Sequence, residues 1–293
     1  MPGTDRQTVQ VTRRIAVATW SNPDYRDPEA RLVADELGRR GHDAVVVPWD
    51  SGLDWTAFDL VAIRSTWDYF ERLGEFLDWA ELVDAASSIV NPLNVIRWNC
   101  HKGYLGELAA AGVPVLPSLA VPQGAHDAAE RLAASGWDDV VLKPAVDGGA
   151  RLALKTRASA PEAAAHLARL VGAGDAIVQP YAPSVELGET SLFFFGGEYS
   201  HAVRKVPRSG DYRVQALHGG SEERHDATVA ELEVAAAAMA LAPGQLTYAR
   251  ADFIDVEGGP TLMELELIEP DLFLRMSPDA LHHYADALEA ALP

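Results

Sequence analysis

Three carboxylates and an arginine near the end of the chain carry the most specific chemical signal in this sequence. The segment TYARADFIDVEGGPTLMELELIEPDL (247–272) holds two β-like runs on either side of Glu257-Gly258-Gly259, a turn signature. Residues two apart on a strand share a face, so Glu264 goes with Glu266 and Arg250 with Asp252. A hairpin centred on Gly258 sets Asp252 opposite Glu264 and Arg250 opposite Glu266. Like charges facing each other across a ladder cost roughly 0.2–1 kcal/mol even when exposed, so three carboxylates on one face favour a bound cation. Hard oxygen donors with room for phosphate oxygens and water suit Mg²⁺, as one ion or two, and Mn²⁺ fits the same donors. A solvated acidic face on an edge hairpin gives the same pattern, and this segment alone does not separate the two.

Upstream, VVLKPAVDGGARLALKT (140–156) ends an apolar strand in Lys143 and continues through Gly148-Gly149 into another strand. A lysine there can aim a point charge at a polyphosphate, and successive glycine N–H groups can form an anion-binding nest. Neither GK[ST] nor GxGxxG is present, so this is no Walker A loop or dinucleotide fingerprint. Taken alone, a plain hairpin with a snorkelling lysine is the simpler account. AIVQPYAP (176–183) is an apolar strand running into prolines. Pro180 can offer its carbonyl to an exocyclic amine and Ala182 its N–H to a ring nitrogen, a two-point grip on adenine, with Gln179 and Tyr181 beside them. Glu189 can accept from ribose hydroxyls, with Glu186 as second choice, and ordinary strand-end chemistry would use the same residues. HAVRKVPRSGDYRVQALHGGSEER (201–224) gathers Arg204, Lys205, Arg208 and Arg213. Such a set can neutralise a transferring phosphoryl group or grip a carboxylate; a solvated, salt-bridged loop competes, and is preferred for Arg208.

The hydrophobic pattern supplies the elements that would position these groups. RRIAVATW (13–20), DAVVVPW (43–49) and FDLVAIRS (58–65) read as strands, and ARLVADELGRRG (30–41) and FLDWAELVDAA (76–86) as helices. This makes a small α/β lobe over 13–92 after a disordered start at 1–12. WNCHKGYLGELAAAG (98–112) reads as one connecting helix within 93–114. Residues 115–182 alternate strand, helix, strand, Gly-rich turn, strand, helix, strand, and are expected to form a mobile lid. Residues 183–293 add two strands, a basic loop, an Ala-rich helix (227–241), the carboxylate hairpin and a closing helix. In the first lobe, Thr19-Trp20-Ser21 and Arg64-Ser65-Thr66-Trp67 both follow strands, where open α/β sheets present ligand loops. Thr19, Arg64, Ser65 and Trp67 are therefore substrate candidates, with Arg64 for a carboxylate and Trp67 as a pocket wall. Tryptophans packing a lobe interface would look the same.

Composition excludes several classes. A formal charge of −19 over 293 residues argues against coating nucleic acid or an anionic membrane. The single cysteine, Cys100, excludes an internal disulfide framework and fits a reducing compartment. The opening residues lack a signal-peptide pattern and no apolar run approaches a membrane span, so a soluble cytoplasmic protein is expected. Ala-rich surface helices suggest a homodimer.

In order, NCHKGYL with Lys102, VLKP and its Gly-rich loop, the QPY hinge, GET, DYRVQALHGG, RADF and MELELIEP resemble the ATP-grasp superfamily from about Leu93 onward. DYRVQALHGG is similar to a stretch of ribosomal-protein glutamate ligases, and RADF to the Arg-x-Asp of D-alanine–D-alanine ligases. The first lobe, with IRSTWDY after a strand, resembles the O-ureidoserine cyclo-ligase of cycloserine biosynthesis. The resemblance implies an α/β (α+β) ATP-grasp fold with an N-terminal α/β lobe, a lid and a C-terminal mixed-sheet lobe. It implies an ADP-forming ligase that activates a small amino-acid-like carboxylate as an acyl phosphate for attack by an amine, or by a nucleophile of the same molecule. Lys102, Lys143, Gly148 and Gly149 would take the ATP phosphates, and Asp252, Glu264 and Glu266 Mg²⁺. Arg213 and Arg250, with Arg204 and Lys205, would stabilise the reacting oxygens. Most relatives end the metal strand with Glu-x-Asn, whereas Glu264-Leu265-Glu266 shares the cyclo-ligase's Glu-x-Glu, and the spacing from QPY to Glu189 is longer than usual. An intermolecular amino-acid ligase, a kinase and a catalytically silent nucleotide-binding module remain as alternatives; ADP with free phosphate separates a ligase from the latter two.

Overall fold

The computed structural model describes residues 11–22, 26–208 and 219–293, which form three β-sheets with helices between them. The expected disorder at 1–12 and the role of Arg213 fall largely or wholly outside these residues. The first sheet contains β1 (Arg14–Thr19), β2 (Asp43–Pro48), β3 (Leu60–Ser65) and β4 (Ser88–Val90), all parallel, in the order β2-β1-β3-β4. Parallel neighbours need crossovers, and α1 (Pro28–Arg39) and α2 (Leu73–Ala86) provide them. Asp27 caps α1 by accepting the Glu29 N–H at 2.9 Å, with Pro28 in the first turn where its missing N–H costs nothing. Ile15 and Val17 pack toward α1 while Ala16 and Ala18 face the aromatic cluster of Trp49, Trp55, Phe76 and Trp79, so the sheet is buried on both sides.

The helix expected over 98–112 is two, α3 (Leu93–Asn99) and α4 (Tyr104–Ala110). The chain turns between them because the Gly103 N–H bonds the His101 side chain at 3.0 Å. The Lys102 N–H in turn leaves the helix for the Ala145 carbonyl at 2.8 Å. The second sheet follows the expected alternation: β5 (Leu119–Val121), α5 (Ala128–Ala134), β6 (Asp139–Pro144), β7 (Leu154–Arg157), α6 (Pro161–Ala173) and β8 (Ala176–Pro180). Its strands are antiparallel in the order β5-β8-β6-β7 over a core of Val140, Leu142, Leu167 and Val178.

The third sheet holds β9 (Glu189–Phe195), β10 (Glu198–Val206), β11 (Ser221–His225), β12 (Tyr248–Val256) and β13 (Gly259–Glu266), antiparallel in the order β11-β10-β9-β12-β13. α7 (Val229–Met239) opens with a Thr228/Glu231 capping box, and α8 (Ala280–Ala290) closes the chain. β11, SEERH, falls where the sequence suggests only basic loop, because an edge strand with no apolar residue leaves no periodic signal. Side-chain alternation gives this sheet two faces. Leu192, Phe194, Ala251 and Phe253 pack on α4 and α7. The other face is apolar at one end, where Phe193, Phe195 and Tyr248 meet α8 and the first sheet, and charged at the other, where Glu189, Lys205, Arg250 and Asp252 stand. Among the described residues no helix is long and apolar enough to cross a membrane.

Two buried polar groups make specific expectations. The Asn99 side chain donates to the Leu265 carbonyl at 2.7 Å and accepts the Leu267 N–H at 2.8 Å, standing in for a neighbouring strand on the outer edge of the chain around Glu266. Tyr104 Oη accepts the Leu265 N–H at 2.9 Å. Asn99→Ala orphans two buried backbone groups and should lower unfolding free energy by about 2–4 kcal/mol in denaturant titration; a change under about 0.5 kcal/mol would contradict this bonding. His201 stacks on Phe193 (centroids 4.4 Å apart) and bonds the Leu272 carbonyl at 3.1 Å. Burial holds its pKa down at about 4, against an ordinary 6.5. The unfolded chain therefore takes up a proton that the fold refuses, so this stabilisation is complete above pH 6.5 and is lost as pH falls toward 4. Unfolding free energy should drop by about 3 kcal/mol across that window through this group alone. His201→Gln should flatten the slope by one proton, and an unchanged slope would refute the assignment.

Candidate active site

A cleft of about 790 Å³ opens where the three sheets meet. Trp20, Trp67, Tyr69 and Phe70 line it from the first sheet's loops; Lys143, Asp147, Gly148 and Gly149 from the second sheet; Glu189, Lys205, Arg250 and Asp252 from the third. Glu264, Glu266 and Glu269 complete the acidic wall, and Lys102 enters from the turn before α4.

The hairpin register is the one the alternating pattern implies, with Asp252 opposite Glu264 and Arg250 opposite Glu266. It is reached differently, however. Glu257 and Gly258, at φ 55° and 82°, make a tight two-residue turn pairing Val256 with Gly259. Continued regularly, that register would set Asp252 opposite Met263 and leave Glu264 on the far face. A bulge between Leu262 and Glu264 absorbs Met263 and returns Glu264 and Glu266 to the cleft.

Basic side chains compensate these acids. Arg250 forks between Asp252 (2.9 Å) and Glu266, Lys205 bridges Glu189 and Asp252 (3.5 Å), and Lys102 pairs with Glu264 at 2.8 Å. Burial alone would raise Asp252, but Arg250 and Lys205 hold it down at about 2. Burial dominates for Glu266, lifted to about 7 despite Arg250. Among the described residues no three His, Cys, Asp or Glu converge closely enough to hold a metal unaided. The donor set nevertheless suits a hard divalent cation that shares its shell with phosphate oxygens: all oxygen, no sulfur or imidazole.

Lys143 differs from its neighbours. Among the described residues no carboxylate forms a close ion pair with its ammonium, and burial, abetted by Lys102, pushes its pKa below the ordinary value despite the attraction of Glu264. A half-buried cation without a close ion pair, in a cleft that glycine N–H groups also line, fits an anionic ligand. Gly148 is required by space, since a Cβ there would sit 2.9 Å from the Phe70 ring, and Gly149 takes φ 65°. Lys102 braces this loop, donating from Nζ to the Asp147 carbonyl at 2.8 Å, and buried Asp147 Oδ1 lacks a hydrogen-bond partner. At the hinge, Gln179, Pro180, Tyr181 and Ala182 line the cleft with Leu116, Val141, Ile254 and Met263, an apolar slot for a planar ring. The Gln179 amide nitrogen is engaged by Ser118 Oγ at 2.9 Å.

Several candidates stand elsewhere. Arg64 does not reach the cleft: it is 1% exposed and binds Glu29 Oε2 and the Pro270 carbonyl, each at 2.7 Å, because β3 is buried on both faces. Ser65 is fully buried beside it, and Thr19 bonds the Val47 carbonyl at 3.4 Å. Arg204 points away from the cleft and holds the Leu187 carbonyl at 2.5 Å, since adjacent strand residues alternate faces and Lys205 takes the inner one. Glu186 lies outside, accepting from Tyr181 Oη at 2.5 Å, whereas Glu189 lines the cleft. Glu269, Asp271, Tyr69 and Phe70 were not singled out from the sequence. Their only signal was proximity to MELELIEP and IRSTWDY.

Comparison with known proteins agrees with this architecture. The family profile of the D-cycloserine synthetase DcsG N-terminal domain matches residues 15–91, and that of the prokaryotic glutathione synthetase ATP-grasp domain matches residues 117–272. The cycloserine biosynthesis protein DcsG of Streptomyces lavendulae is 36% identical over 271 residues, covering 86% of this chain and 90% of that protein. A crystal structure of D-cycloserine synthetase DcsG superposes with TM-score 0.85 at 32% identity, over 95% of this chain and 99% of that one. D-alanine–D-alanine ligase from Bacillus anthracis shares the fold at TM-score 0.66 and 13% identity, over 96% of each chain. The chain belongs to the ATP-grasp ligases, ADP-forming enzymes that join carbon to nitrogen using ATP and Mg²⁺, and is related there to the cycloserine synthetase DcsG.

Proposed function

We propose that this ligase activates the carboxylate of a small amino-acid-like substrate as an acyl phosphate and closes a ring through a nitrogen of the same molecule. The observation that carries activation by phosphoryl transfer is Lys143, a half-buried cation without a close ion pair that lines, with a glycine loop, a cleft whose other wall is acidic. Ring closure is supported by the first-lobe match over residues 15–91, since that lobe's loops supply Trp20, Trp67, Tyr69 and Phe70.

In this proposal Lys143, Lys102 and the Gly148-Gly149 N–H groups take phosphate oxygens, and the hinge at Pro180 and Ala182 takes adenine with Glu189 near the ribose. Asp252, Glu264 and Glu266 hold one or two Mg²⁺ ions, which would neutralise phosphate charge when bound. Arg250, and Arg213 outside the described residues, orient the substrate carboxylate. Cys100 takes no part, because burial pushes its thiol up to about 11. A substrate lobe (13–92), a linking segment (93–114), a lid (115–182) that closes to exclude water and a core (183–293) form part of the same proposal.

The test is ADP and phosphate release with Mg²⁺ and a panel of amino acids that includes ureido and hydroxamate derivatives. Release of both with a product one water lighter than its substrate supports cyclisation. A product joining two molecules would replace it with intermolecular ligation, and ATP binding without turnover would leave a nucleotide-binding module.

A further inference from the structure

The segment after the carboxylate hairpin presents a further acid to the cleft, Glu269, which forms no ion pair with a basic side chain of the described residues. Asp252 and Glu266 hold Arg250, Glu264 holds Lys102, and Glu189 holds Lys205. Glu269 lines the same cleft, and no Lys, Arg or His of the described residues ion-pairs with it. Burial, with Glu266 and Glu264 nearby, drives its pKa well above the ordinary carboxylate value, although Lys102 and Arg250 pull the other way, so its anion is only partly compensated.

Its position is fixed with unusual care. Trp67 Nε1 donates to the Glu269 carbonyl at 3.0 Å, and Arg64 Nη1 donates to the next carbonyl, that of Pro270, at 2.7 Å. Arg64 is itself anchored by Glu29 at 2.7 Å. The Asp271 carboxylate folds back onto the Phe273 N–H at 3.2 Å, where the chain takes a left-handed turn at φ 47°. The strand-end residues of the first sheet thus grip the main chain of Glu269-Pro270-Asp271 and leave the Glu269 side chain facing the cavity. Trp20 and Trp67, edge to face with centroids 6.0 Å apart, line the cavity too, and aromatic faces favour a cation.

We infer that Glu269 receives the ammonium group of the amino-acid substrate, with Arg64 and Trp67 as positioning residues that hold it in place, and so makes a free amino group a requirement for turnover. A primary ammonium matches the site because it brings positive charge and three N–H donors to an acceptor that Lys102 and Arg250 influence but do not ion-pair. The inference rests on the ligase reading, since it assigns one end of that reaction's substrate.

The experiment compares, by ADP release, the most active amino acid of the panel with its des-amino counterpart, in the wild type and in Glu269→Gln. The wild type should favour the amino compound by about 100-fold in kcat/KM, and Glu269→Gln should reduce that preference to within about tenfold. The KM for ATP should change less than about threefold. Trp67→Phe keeps the ring but loses the donor, and should raise the KM for the amino acid about tenfold with little change in that for the des-amino compound. Equal use of both compounds by the wild type, or undiminished preference in Glu269→Gln, overturns the inference and leaves the ligase reading standing. No ADP release with any amino acid overturns both.

Discussion

Glu264→Gln should reduce substrate-dependent ADP release by about a thousandfold or more while the protein stays folded. Glu264 reaches the cleft only through the bulge at Met263 and there faces Lys102 at 2.8 Å, with Asp252 across the ladder. Burial opposes its charge, but Lys102 and then Lys143 keep its pKa below the ordinary value, so it is an anion at neutral pH. Glutamine keeps the shape and one oxygen and removes that charge, weakening both the hold on a hard divalent ion and the balance against two lysines. Loss of one proposed metal ligand's contribution to charge stabilisation, about 4 kcal/mol, corresponds to three decades of rate. A Mg²⁺ titration of ADP release, run beside thermal unfolding, checks it. Near-normal turnover at ordinary Mg²⁺ would remove Glu264 from the site.

Lys143→Met should act in opposite directions on activity and stability. Its surroundings disfavour the Lys143 charge on balance, desolvation outweighing the attraction of Glu264, and an apolar side chain of similar length relieves that cost, so the unfolding midpoint should hold or rise. The same change removes a point charge from the proposed phosphate cradle, and kcat/KM for ATP should fall by about 100-fold or more. Few structural residues behave this way, since removing a partner from a paired network destabilises. A variant that loses stability and activity together would show that Lys143 is a structural lysine.

Much of this site was legible because two periodicities decide it. Strand alternation alone joins Arg250 to Asp252 and Glu264 to Glu266, and helix and strand periods mark out the second sheet in its observed order. The facing pairs of the hairpin came out correctly although the turn is one residue tighter than the symmetric one, because the Met263 bulge restores what the turn shifts. No pattern in LMELE announces a bulge. Alternation also separates Arg204 from Lys205, which cannot share a face, although treating them as one basic cluster conceals it. Arg64 misled for a different reason. Its place at a strand end is that of a ligand-binding residue, but Asp27 and Glu29 at the start of α1 and the Pro270 carbonyl claim it through contacts remote in sequence. Asn99 and Tyr104 were invisible for the same reason: each serves the main chain of β13, some 160 residues away.

The most direct test of phosphoryl activation is to follow the substrate's own oxygen. With the substrate carboxylate labelled in ¹⁸O, its attack on the γ-phosphate and the later displacement by nitrogen must carry one labelled oxygen into inorganic phosphate. The account predicts one ¹⁸O per phosphate released, with ADP formed in equal amount. Unlabelled phosphate would mean that water, rather than the substrate carboxylate, takes the phosphoryl group, and would contradict it.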